Sequence, residues 1–174
     1  MTRRRLAFIG TAIVVATVIP VAALLAIDVY LHRKYERTGG FNVWGYRGPT
    51  VGRKQPGEYR VVFLGGSTAF GYGVDWNQSI PFVLEGLLNG RRTGNERFSV
   101  VNLAYNNESA YSFKFTLADY RSFGYDLVCL YEGYNDLMGD PVGPNTSVFR
   151  RDSPIFRLTG YLPIFPSSSR RRRL

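Results

Sequence analysis

The stretch that most constrains the fold runs from Tyr59 to Val74, where a short β-branched run stops abruptly at Gly65-Gly66 and is followed by Ser67. Residues 60–64 are apolar after the first, too short for a helix and bounded by glycine, which predicts a buried strand ending in a tight turn. Two further runs have the same form. Residues 98–103 lead into Asn102-Leu103-Ala104-Tyr105-Asn106-Asn107, and residues 126–131 lead into Glu132-Gly133-Tyr134-Asn135-Asp136. Helical patterns separate them. Ser79 precedes Ile80-Pro81 as an N-cap before a helix that would set Phe82, Leu84, Leu87 and Leu88 on the sheet and end at Asn89-Gly90. Glu108 or Ser109 opens a second, in which Phe113, Leu117 and Tyr120 share a face and Gly124 closes the segment. Strand, helix and strand in alternation with short connections predict a parallel α/β sheet with three strand ends on one edge.

Ser67 then stands at the carboxyl end of a central strand, where open α/β sheets bind their ligands. Two other glycine-rich readings fail. A phosphate-cradling loop needs Lys and then Ser or Thr after its last glycine, and Gly71 is followed by Tyr72; a dinucleotide fingerprint needs a third glycine, and none precedes Asp75-Trp76. What remains is a structural turn or a nucleophile.

The G-G-S-T, N-L-A-Y-N-N and G-Y-N-D blocks, in that order over residues 41–137, resemble those of the SGNH (GDSL-type) hydrolases. Gly66 takes the place of the family's common Asp, and Ala104 that of its usual oxyanion Gly. The resemblance implies a flavodoxin-like three-layer α/β/α fold with a parallel sheet. It implies Ser67 as nucleophile, with an oxyanion hole from the Ser67 and Ala104 amides and the Asn135 side chain, and no cofactor or metal. Preorganised donors of this kind meet charge that develops only in the transition state. The implied substrate is a small-molecule, carbohydrate or lipid ester. An O-acetyltransferase using the same site, or a non-catalytic membrane-anchored binding module, are the alternatives.

The family's D-x-x-H block has no counterpart. Of the 38 residues after Asp136 none is histidine, and the one histidine, His32, lies beyond the amino-terminal apolar run, where it reads as a membrane-interface residue. A serine hydroxyl is a weak nucleophile without an adjacent base. The expectation is a hydrolase domain whose carboxyl-terminal strands are missing, and a chain that is inactive alone.

Residues 6–27 carry no charge and only Thr11 and Thr17 as polar interruptions. As a helix they would span about 33 Å, enough for a bilayer core of about 30 Å. Their length and lack of a small-x-small exit favour an uncleaved anchor over a cleavable signal. Arg3, Arg4 and Arg5 favour a cytoplasmic amino end and an outward, periplasmic or extracellular domain. The organisation expected is a basic end (1–5), a single-pass anchor through the membrane (6–31), a linker and lead-in rich in Gly and Pro (32–58), a partial hydrolase domain (59–140) and an irregular segment with a basic tail (141–174). In the lead-in, Tyr46 and Arg47 read as a packed turn. The net charge of +9 does not signal nucleic acid, because the runs Arg3–Arg5 and Arg170–Arg173 supply seven of the charges. The single Cys129, inside the third strand, reads as a buried inert thiol and excludes an intrachain disulfide.

Overall fold

The computed structural model describes residues 2–35, 40–132, 134–137, 150 and 153–164. The elements, in order, are α1 (Arg3–Tyr35), β1 (Glu58–Gly65), α2 (Ser67–Phe70), α3 (Ile80–Arg91), β2 (Arg97–Asn102), α4 (Phe113–Asp119), β3 (Leu127–Tyr131), α5 (Tyr134–Leu137) and α6 (Pro154–Thr159). The three strands form one parallel sheet in the order β2-β1-β3, with β1 central. Register pairs Val62 with Val101 and with Val128, so the apolar runs of all three strands lie side by side. Both faces of β1 are buried, which is why it reads as a continuous apolar run and not an alternating one.

The two faces carry separate clusters. Val62 and Leu64 pack with Val101 and Leu103 against Phe113 of α4 and Phe156 of α6. Phe63 packs with Ala69, Phe70 and Ala104, and Leu84 of α3 lies against this group. Of the residues expected to seat α3, Phe82 and Leu87 are in fact 39% and 52% exposed, and the fully buried contact is Pro81. That helix also runs past Asn89-Gly90 to Arg91, because Asn89 turns inward to bond Phe98 and the Glu85 carbonyl. α4 is preceded by a 3-10 turn at Ala110–Ser112, and Gly124 in the left-handed region closes the following turn, as its sequence predicts.

The lead-in is part of the core. Asn42, Tyr46 and Arg47 are buried, and the Arg47 amide donates to the Asn102 carbonyl at 3.1 Å. Tyr46 stacks edge-on against Tyr120 and Phe123. Within β1, Arg60 is only 2% exposed; it pairs with Glu58 at 2.7 Å and donates to the Phe123 and Gly52 carbonyls, which satisfies a charge that the strand otherwise could not bury.

α1 is a 33-residue helix, about 50 Å long, apolar enough to cross a membrane and almost wholly exposed along that stretch. α6 was not legible from Pro154, a residue that usually breaks helices; here it occupies the first helical turn and Ser153 Oγ accepts the Phe156 amide at 3.2 Å. The features read at 138–149 and 165–174, including the basic tail, lie outside the described residues.

The passage from β1 into α2 tolerates no side chain at its first step. A Cβ on Gly65 would strike the Tyr131 carbonyl of β3 and come 2.7 Å from Ala69 Cβ. Gly65→Ala is therefore expected to lower unfolding free energy by about 1–3 kcal/mol, the usual range for overpacking. Urea denaturation should show it as a lower midpoint at constant slope. An unchanged midpoint would mean that β1 and β3 separate freely here, and the sheet edge would have to be redrawn.

Candidate functional site

Ser67 is the first residue of α2 and follows the central strand by one residue, Gly66. The turn is held by the Phe70 amide on the Gly66 carbonyl and by the Gly71 and Tyr72 amides on the Ser67 carbonyl, each at 3.0 Å. Gly71 takes φ +82°, and a Cβ there would lie 2.8 Å from Ser79 Cβ, so the chain can reverse only with glycine at that position. Ser67 itself is half-buried, and its backbone N–H is one of the first-turn donors that helix geometry leaves without an intrahelical acceptor.

The end of β3 brings Asn135 to the same place. A Cβ on Gly66 would fall against Asn135 Nδ2 and lie 3.3 Å from Glu132 Oε2. Gly66, where the resembling family commonly has Asp, thus leaves the room that the Asn135 amide occupies. Asn135 Nδ2 donates one hydrogen to the Glu108 carbonyl at 2.8 Å, which fixes the orientation of the amide. The neighbouring Asp136 accepts the Ala110 amide on both oxygens at 3.2 Å, so α5 grips the 108–110 segment twice.

Ala104 is placed differently from what an oxyanion donor requires. It is fully buried, and its amide donates to Asn102 Oδ1 at 3.1 Å. Asn102 Nδ2 in turn donates to the Ala69 and Phe70 carbonyls at 3.1 and 3.3 Å, so this side chain ties the last carbonyls of α2 to the end of β2. The N-L-A block therefore serves here as a brace for α2. Tyr105 follows, its amide on the Gly65 carbonyl at 3.0 Å.

Three polar groups are buried around the turn. Arg47 donates from Nη2 to the Gly71 and Val74 carbonyls, at 3.3 and 2.5 Å, and its guanidinium stands 4.5 Å over the Phe70 ring. Burial pushes its pKa down, and Asp75 acts in the opposite sense. Glu108, 5% exposed, accepts on Oε1 from Ser112 and Thr116 at 2.9 Å each. Burial raises its pKa above the ordinary carboxylate range, against the opposing pull of Arg150, while Glu132 adds to the rise. Arg150 is fully buried and donates to the Gly45 and Leu103 carbonyls at 2.7 and 2.8 Å. The packed-turn reading of Arg47 agrees with its burial, whereas Glu108 reads as a helix start and the burial of Glu108 and Arg150 carries no periodic signal in the sequence.

His32 is not at this turn. Its two ring nitrogens face the Phe41 and Leu162 carbonyls at 2.8 Å, and it is 1% exposed, so it is packed against the chain. Cys129 is partly buried, not fully, because β3 is an edge strand among the described residues; burial still raises its thiol pKa. Among the described residues no group of three or more His, Cys, Asp or Glu is arranged to hold a metal ion. Comparison of the chain with protein-family models, with curated proteins and with solved structures finds no match.

Proposed function

We propose that the chain carries the nucleophile and oxyanion side of an SGNH-type serine ester hydrolase, on a flavodoxin-like α/β/α sheet, anchored by α1 with its domain outside the cytoplasm and acting on acyl or acetyl esters of carbohydrate or lipid. The observation that supports this reading is the oriented amide of Asn135 packed on Gly66, the residue before Ser67 at the end of the central parallel strand. In it, Ser67 Oγ attacks the ester carbonyl, and the second Nδ2 hydrogen of Asn135 meets the oxygen as it becomes negative. The Ser67 amide is the partner donor. Ala104 joins only if its amide leaves Asn102. The proton of Ser67 has no imidazole to receive it, since the one histidine is committed elsewhere.

A nucleophile that needs no strong base tests the site apart from that gap. In a Cys129→Ser background, Ser67→Cys is expected to take the acetyl group from p-nitrophenyl acetate in a stoichiometric burst: the thiolate forms the C–S bond and p-nitrophenolate departs with the electron pair of the broken C–O bond. Adding Asn135→Ala should slow the burst by about 100- to 1000-fold, the usual loss for one oxyanion donor. A Ser67→Cys variant whose thiol acetylates no faster than free cysteine, or at a rate that ignores Asn135, contradicts the reading.

A further inference from the structure

The apolar stretch of α1 ends at Ile27, and the rest of the chain grips the helix from the next residue on. Asp28 accepts the Tyr161 hydroxyl and, at 2.8 Å, the Ile164 amide. One turn further, the His32 ring lies 2.8 Å from the Leu162 carbonyl and 2.8 Å from that of Phe41. The Leu162 amide in turn donates to the Val43 carbonyl at 2.8 Å. The segments 41–44 and 161–164 are thereby held against the turn of α1 that follows the apolar run. A helix advances about 1.5 Å per residue, so a bilayer that takes residues 6–27 as its core has its headgroup layer at the height of these two segments.

What they and α6 expose suits that layer. Leu158 is 87% exposed, the most of any large apolar side chain among the described residues, and Trp44 is 42% exposed. α6 turns Phe156 into the core, and successive helical residues are about 100° apart, so Leu158 lies on the far side of the helix from it. The helix and the tryptophan are neighbours, because a Cβ on Gly160, which caps α6, would fall 3.8 Å from the Trp44 ring. The exposed charges of residues 28–35, 40–44 and 153–164 are all positive, on Arg33, Lys34 and Arg157, whereas the carboxylate of Asp28 is buried. An exposed Trp and Leu ringed by basic side chains is the composition of a surface that lies in a headgroup layer.

We propose that this face docks on the bilayer that α1 spans, with Trp44 and Leu158 at the boundary of headgroups and acyl chains and Arg33 and Arg157 on the headgroups of anionic phospholipid. The proposal rests on the reading of α1 as a membrane anchor. Charge favours lipid over a second copy of the chain as the occupant. Two copies meeting through this face would bring like cations together, while an anionic headgroup neutralises them. A second attachment beside α1 fixes the tilt of the domain on the membrane, and with it the direction in which the Ser67 turn faces.

The chain has two tryptophans, so Trp76→Phe leaves Trp44 as the one reporter. The full chain with that substitution, in vesicles of phosphatidylcholine and phosphatidylglycerol, is expected to show Trp44 emission quenched by lipids brominated near the carbonyl end of the acyl chain. Lipids brominated near the chain end, and acrylamide in the water, should quench it less. Leu158→Glu, at an exposed position, should abolish the lipid quenching. Arg157→Gln should lower the ratio of docked to free domain about fivefold with phosphatidylglycerol present and leave it unchanged in phosphatidylcholine alone. As a gain of signal, Leu158→Trp in a chain carrying Trp44→Phe and Trp76→Phe should be quenched by the same shallow bromines. Alkaline carbonate extraction reads the anchor separately. A chain that stays in the membrane while acrylamide, and not brominated lipid, quenches Trp44 overturns the docking and leaves the anchor; a chain released by carbonate overturns both. Trp44 shielded from acrylamide and from both lipids would place protein on this face, and overturns the bilayer as its occupant.

Discussion

The full chain is expected to hydrolyse p-nitrophenyl acetate no faster than its Ser67→Ala variant. In the proposed reading the turn supplies a nucleophile and an oriented donor, but a serine hydroxyl must surrender a proton as it attacks. The imidazole that performs this in serine hydrolases has no counterpart near Ser67, because His32 is bonded on both sides at the base of α1. Loss of the base from a complete triad costs about a million-fold in kcat in subtilisin, with oxyanion hole and binding as the residue of catalysis. Added imidazole should restore part of the rate in the parent and none in Ser67→Ala. Steady turnover without imidazole, lost on Ser67→Ala, would instead identify a proton acceptor within the chain. Glu132, whose carboxyl oxygen lies 3.3 Å from where a Gly66 Cβ would stand, would then be the first to replace with Gln.

How far the sequence foretold this arrangement depends on how local each determinant is. The strands were legible because β-branched runs buried on both faces are continuous and end in glycine. The start of α3 was legible because Ser79 and Pro81 are start signals in themselves. The face shared by Phe113, Leu117 and Tyr120 was legible from spacing, and all three pack against the core. The failures involve determinants supplied by other parts of the chain. Whether the Ala104 amide faces outward is decided by the Asn102 side chain two residues earlier, which no block pattern encodes. Nothing in the apolar run foretells that Asp28 and His32 are buried; their burial is decided by Tyr161, Leu162 and Ile164, more than 125 residues away. The exposure of Leu127 and Leu130, 52% and 61%, likewise follows from sheet order, since β3 has a partner on one side only among the described residues. Asn135 packs on Gly66, the residue before Ser67, because the parallel strands β1 and β3 end side by side.

Replacing Arg150 by Met is expected to destabilise the domain by about 3–5 kcal/mol at neutral pH, the cost of leaving a buried partner charge uncompensated. Arg150 joins Gly45 of the lead-in to Leu103 beyond β2, and its Nη1 lies 3.5 Å from Thr116 Oγ1, which itself donates to Glu108 Oε1. The guanidinium is the first of the groups that draw the Glu108 pKa back down against its burial. Without it the carboxyl is left with two neutral hydroxyl donors. A buried acid whose folded pKa lies above its unfolded value binds the proton more tightly when folded, so stability falls as pH rises through that interval and returns on acidification. The deficit of Arg150→Met relative to the parent should accordingly shrink as pH is lowered and Glu108 becomes neutral in both proteins. Glu108→Gln, neutral at every pH and still able to accept from Ser112 and Thr116, should recover part of the loss in the double variant. Urea midpoints of the four proteins over a pH series give the coupling directly. An Arg150→Met penalty independent of pH and of Glu108 would show that the arginine acts through its carbonyl bonds alone, and Glu108 would then owe its ionisation to the hydroxyls of α4 and the turn before it.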